Sequence, residues 1–70
     1  MLLTKQNKVQ QALKDFNQGI ALNPNYGMLF YYRSKAYVKA GDKSKALVDA
    51  QKAASLGYSV SQKYFKELGG

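Results

Sequence analysis

Gln11-Ala12-Leu13-Lys14-Asp15-Phe16 and Lys45-Ala46-Leu47-Val48-Asp49-Ala50 are one pattern written twice, at an offset of 34 residues, the distance from Ala12 to Ala46. Ala12/Ala46, Leu13/Leu47, Asp15/Asp49, Leu22/Leu56 and, upstream, Lys5/Lys39 are identities at that one offset. Self-similarity at a fixed period is the mark of stacked repeats, each of which buries its apolar surface against its neighbours. The sequence therefore points to a class of work, holding another molecule on a stacked surface, and does not name that molecule.

Outward from the repeat, the periodicity is helical and no alternating strand pattern occurs. From Lys8 to Leu22 the apolar positions Val9, Ala12, Leu13, Phe16 and Ile20 fall at steps of three and four, one stripe of an amphipathic helix. Asn23-Pro24-Asn25 ends it, because proline cannot continue the hydrogen-bond ladder and pushes the residue before it out of the helical region. A second helix is expected from about Tyr26 to Ala40, with Phe30, Ser34 and Tyr37 on one stripe. Gly41-Asp42 breaks it; glycine suits the left-handed position after a helix, and Asp42 or Ser44 caps the next one. The third helix runs from about Lys43 to Ser55 with Ala46, Leu47, Ala50, Ala53 and Ala54 inward. A short fourth, near Val60 to Leu68, presents Tyr64, Phe65 and Leu68 and stops at Gly69-Gly70. Ala12, Gly19, Ser34, Ala46, Ala50 and Ala53 are small where two helices of a hairpin would approach, leaving gaps for Phe16, Phe30 and Tyr37.

Composition limits what else the chain can be. Its 70 residues sit in the size range where one core supplies only about 3–5 kcal/mol. There is no cysteine for a disulfide and no histidine or cysteine for zinc, so packing or association must supply the rest. With 11 Lys plus Arg against 4 Asp plus Glu, the net charge is +7, which favours acidic partners and keeps nucleic acid as an alternative. The lysines are scattered and never form the basic run of a nucleic-acid arm. Met1-Leu2-Leu3 is followed at once by Thr4-Lys5-Gln6, so no signal peptide or membrane span is read; the compartment stays open, with the cytoplasm slightly favoured.

Phe30-Tyr31-Tyr32-Arg33-Ser34-Lys35-Ala36-Tyr37, then Gly41-Asp42, Ala46, Ala50, Ala53 and Tyr58, resembles one complete tetratricopeptide repeat. Ala12-x3-Phe16-x2-Gly19 with Asn23-Pro24 is similar to the second helix and closing proline of the repeat before it. Ala50 stands where the family usually has a large aromatic residue, and Tyr58 where it usually has proline. The resemblance implies an all-α fold of antiparallel helical hairpins, part of an α-solenoid. It divides the chain into a partial repeat over 1–24, a complete repeat over 25–58 and a C-terminal capping helix over 59–70. In that register Met1 to Gln6 are the tail of a first helix, Asn7 takes the place of Gly41 at the turn, and the upstream half of that helix is missing.

Catalysis is not expected. The sequence has no histidine, cysteine or glycine-rich phosphate loop, and Asp15, Asp42, Asp49 and Glu67 are read as helix-surface or turn charges with no paired arrangement. Neither cofactor nor metal is implied, since hard cations need clustered oxygen ligands.

A protein-interaction module is the function the resemblance implies. Family members hold peptides along the concave face lined by the first helix of each hairpin, which places Met28, Tyr31, Tyr32, Lys35, Val38 and Lys39 there, with Lys5 added as the equivalent of Lys39. Tyrosines beside lysines offer contact area at low entropic cost together with cations for carboxylates. The alternative use of these residues has one of Tyr31 and Tyr32 packed on the neighbouring hairpin and the lysines merely solvated. Met28, Tyr31, Tyr32 and Lys35 do not reproduce the lysine, asparagine and arginine clamp that holds chaperone tails in some family members. A basic nucleic-acid-binding domain using aromatics beside Arg33, Lys35 and Lys39 is the runner-up. A self-associating piece is the third reading: Val9, Leu13, Phe16 and Ile20 would be left partly uncovered, to be closed by Leu2 and Leu3 or, preferred, by a second copy across a two-fold axis.

Overall fold

The computed structural model describes residues 4–69, of which 4–7 are described at the level of the backbone alone. It is all-α, with helices α1 (Thr4–Leu22), α2 (Gly27–Lys39), α3 (Lys43–Ser55) and α4 (Gln62–Glu67) among the described residues. The Cα envelope measures 39 × 29 × 14 Å, flattened in one direction.

Two turns are built alike. After α2, Gly41 takes φ 84°; its N–H donates to Val38 O at 3.0 Å and the Asp42 N–H to Tyr37 O at 2.9 Å. After α3, Gly57 takes φ 93°, with Gly57 N–H donating to Ala54 O and Tyr58 N–H to Ala53 O, both at 3.0 Å. Each is a Schellman closure, and the left-handed residue is glycine because a Cβ would be strained there. Asp42 then caps α3 by accepting from the Lys45 N–H at 3.1 Å, and Ser61 caps α4 by accepting from the Tyr64 N–H at 3.1 Å. Both α1 and α2 end as the sequence reading expects, and the limits of α3 coincide with it.

Neighbouring helices are antiparallel. Along the α2–α3 seam Gly27 meets Ala53, Arg33 meets Asp49 and Ser34 meets Ala46, one set of numbers rising as the other falls. Along the α1–α2 seam Gly19 meets Leu29, Phe16 meets Tyr32 and Asn17 meets Arg33. The core lies mostly in the second hairpin and under α4, with Phe30, Ala36, Ala46, Ala50, Ala53 and Leu68 buried. Tyr37, Val38, Leu47, Val60, Tyr64 and Phe65 pack around Ala46, Ala50 and Leu68.

Several expectations are corrected. No turn occurs at Asn7: α1 runs unbroken through it, since asparagine flanked by lysine and glutamine, without glycine or proline, interrupts a helix only weakly. Ala54 is exposed, because α4 covers Ala46, Leu47 and Ala50 and does not reach it. Asp49 is not a surface charge; it is 4 % exposed. Met1 to Leu3, including the proposed fold-back of Leu2 and Leu3, lie outside the described residues.

Candidate functional site

Arg33 is the centre of the packing between three helices. Its Nε and Nη2 donate to the two carboxylate oxygens of Asp49 on α3 at 2.7 and 2.8 Å, and its Nη1 donates to Asn17 Oδ1 on α1 at 2.8 Å. The guanidinium also lies 5.4 Å from the Phe30 ring centre and 5.9 Å from that of Tyr37. The hydrogen bond to Asp49 raises the Arg33 pKa above its usual value, against the opposing effect of burial, so the side chain stays charged throughout the accessible pH range. Arg33 is therefore spent inside the fold, which removes it from the set of basic side chains proposed for nucleic acid.

The expected ligand face separates into two parts. Tyr31 turns toward α4, with ring centres 5.0 Å from Tyr58 and 5.6 Å from Tyr64. Tyr31 is half-buried there, against the C-terminal helix and not against a neighbouring hairpin. Val38 packs on Ala46, Ala50 and Leu68, and Met28 is half-buried. Tyr32 stays exposed and stacks on Phe16 of α1 at 6.2 Å. Lys35 lies with Nζ 5.2 Å from the Tyr31 ring centre, and Lys39 is exposed at the C-terminus of α2. The side chain of Lys5 lies outside the described residues.

Tyr32, Lys35 and Lys39 do share a site, an open groove of about 410 Å³ between α1 and α2. Lys8, Val9, Ala12 and Phe16 form its α1 wall, and Tyr32, Lys35, Ala36 and Lys39 its α2 wall. Because the helices are antiparallel, Lys8 and Lys39 stand at the same end. The floor is apolar and aromatic, three lysines edge it, and no acid among the described residues lines it. A second open groove on the other side of α1 is lined mainly by polar side chains, Gln10, Gln11, Lys14 and Asn17 among them. Sequence reasoning did not name the α1 wall as a peptide surface: it read Val9 and Phe16, with Leu13 and Ile20, as an uncovered stripe for a second copy, assigned Ala12 to packing and gave Lys8 no role. The signal lay in the repeat: Ala12 and Phe16 occupy the positions of Ala46 and Ala50, which α3 turns to its partner helix.

Among the described residues no helix is long and apolar enough to cross a membrane. Comparison with known proteins returned no matching family model, no curated relative and no solved structure.

Proposed function

We propose that this chain is a tetratricopeptide-like interaction module that holds a segment of another protein in the groove between α1 and α2. The observation that carries this reading is the groove itself, an apolar floor edged by Lys8, Lys35 and Lys39 with no acid among the described residues that line it. The in-phase repeat, the two antiparallel seams and the matching glycine closures support the family part of the proposal. An acidic segment is the partner that this chemistry favours: the carboxylates meet the lysines while its apolar side chains cover Val9, Phe16 and Tyr32. The ligand-face residues that remain are Tyr32, Lys35 and Lys39, with Lys8 added.

Self-association, which the sequence favoured, meets an electrostatic obstacle here. A second copy would bring a further net charge of +7 to a groove already edged by Lys8, Lys35 and Lys39. Fluorescence anisotropy with a labelled acidic peptide tests the proposal. Lys35→Glu with Lys39→Glu should weaken binding several-fold and leave the helical circular-dichroism signal and melt unchanged. A collapse of the melt would mean that the lysine stems cover core. Tighter binding to generic duplex or single-stranded nucleic acid, falling steeply with added salt, would favour the nucleic-acid reading instead.

A further inference from the structure

The chain contains its own template for what belongs in the groove. On α3, Ala46, Ala50 and Ala53 are completely buried and Asp49 nearly so, with α2 packed along this stripe and Leu68 and the α4 side chains closing over Ala46 and Ala50. Their counterparts one repeat earlier are Ala12, Phe16, Gly19 and Asp15 of α1. Ala12, Phe16 and Gly19 are only half-buried and Asp15 is exposed. Asp49 receives the fork of Arg33, whereas no cation among the described residues pairs with Asp15. Helical spacing places Asp15 on the same stripe of α1 as Lys8 and Ala12, exposed and outside the groove's own lining.

Resting on the reading of the groove as a protein-binding site, we propose that its occupant is an amphipathic helix of a partner protein, seated on α1 as α2 is seated on α3. Three features of that helix follow. It carries an arginine opposite Asp15, in the role of Arg33, followed by a small residue opposite Ala12, in the role of Ser34. It runs antiparallel to α1, so its C-terminal half passes Lys8, Lys35 and Lys39, and its acids lie there, one to two turns beyond the arginine. The negative end of its helix dipole meets the same lysines. A second copy of this chain fits poorly, since its own helix in that register, α2, brings Lys35 and Lys39 to the lysine end.

The probe is a fluorescein-labelled synthetic peptide of the length of α2, 13 residues, with an alanine and leucine stripe, one arginine and two glutamates in its C-terminal half. Its affinity for the 70-residue chain is measured by anisotropy, beside a peptide of the same composition with a central proline, which cannot be helical, and one with arginine replaced by alanine. The helical peptide should bind at least tenfold more tightly than the proline peptide. Asp15→Asn should weaken the arginine peptide about tenfold, a typical loss for a charged hydrogen bond that becomes buried, and leave the alanine peptide unchanged. Equal binding of the helical and proline peptides overturns the helical occupant while the acidic-segment reading of the groove stands. Loss from Asp15→Asn that is the same for both helical peptides overturns the arginine pairing. No binding of any acidic peptide overturns both readings. Sedimentation showing a dimer that the peptide dissociates would give the groove to a second copy and overturn the partner helix.

Discussion

Ala46, Asp49, Ala50 and Ala53 of α3 and Ala12, Asp15, Phe16 and Gly19 of α1 are the same stripe one repeat apart, yet the first is sealed and the second stands open. The difference is the neighbour each stripe faces. Small residues on α3 let α2 approach closely enough for an ion pair to be buried between them, whereas on α1 the matching stripe, with Phe16 in place of Ala50 and Gly19 in place of Ala53, forms only the wall of a groove. Burial is thus a property of the pair of surfaces, and an unfilled copy of a filled site shows what kind of surface is complementary to it.

The largest effect should come from the acid that differs most between the two. Asp49→Ala strips the charged Arg33 of its bidentate partner in a part-buried site and should cost about 3–5 kcal/mol, enough to abolish a cooperative thermal melt in so small a chain. Asp15→Ala, at the equivalent exposed position, should stay within about 0.5 kcal/mol of the parent. Equal melts for the two variants would break the comparison.

Glycines sharpen it at the next level. A Cβ at Gly27, on the α2–α3 seam, would lie 3.0 Å from Tyr58 Cβ and 3.1 Å from the Ala53 carbonyl oxygen, atoms fixed to backbone. Gly27→Ala should therefore cost about 1–3 kcal/mol, read as a fall in the denaturation midpoint. A Cβ at Gly19, on the α1–α2 seam, meets only the Cδ1 end of Leu29 at 3.0 Å. That methyl can swing away, so Gly19→Ala should be neutral or stabilise by up to about 1 kcal/mol through helix propensity. The two substitutions should move the midpoint in different directions or by clearly different amounts.

The smallest effect concerns a hydroxyl. Ser34 is fully buried, its Oγ donating to Ala46 O at 2.7 Å and lying 2.8 Å from the Tyr64 hydroxyl. Ser34→Ala should cost about 0.5–1.5 kcal/mol, the usual net worth of an intramolecular hydrogen bond. The double variant with Tyr64→Phe should cost less than the sum of the two single changes, as checked by a double-mutant cycle.

Much of the fold was legible because its signals are local. Gly41, Asp42, Pro24 and the step-of-three-and-four stripes each act through the nearest few residues, so α3 and both ends of the second hairpin followed from them. Helix α1 ran past Asn7 because a repeat register, not a local breaker, had suggested a turn there. What escaped needed pairing across the hairpin. With the turn centred near Gly41, Arg33 and Asp49 are equidistant from it and must face each other, but an acid that recurs at the same repeat position looks like surface decoration when each copy is read alone. Tyr31 and Tyr32 are adjacent and chemically identical; only the position of α4 decides that the first packs and the second meets solvent.

The glycine closure at Gly41 also sets the order in which the molecule assembles. It joins α2 to α3 through so short a connection that closing this hairpin costs little chain entropy, and the contacts it brings together are near in sequence. The second hairpin should form first, as the nucleus onto which α1 later docks through Phe16 and Asn17. In the native state the amides of α2 and α3 should then exchange with solvent only on global unfolding. Those of α1, whose outer stripe has no cover among the described residues, should open by a separate and cheaper route, so that the groove is walled on one side by a helix held less firmly than the other.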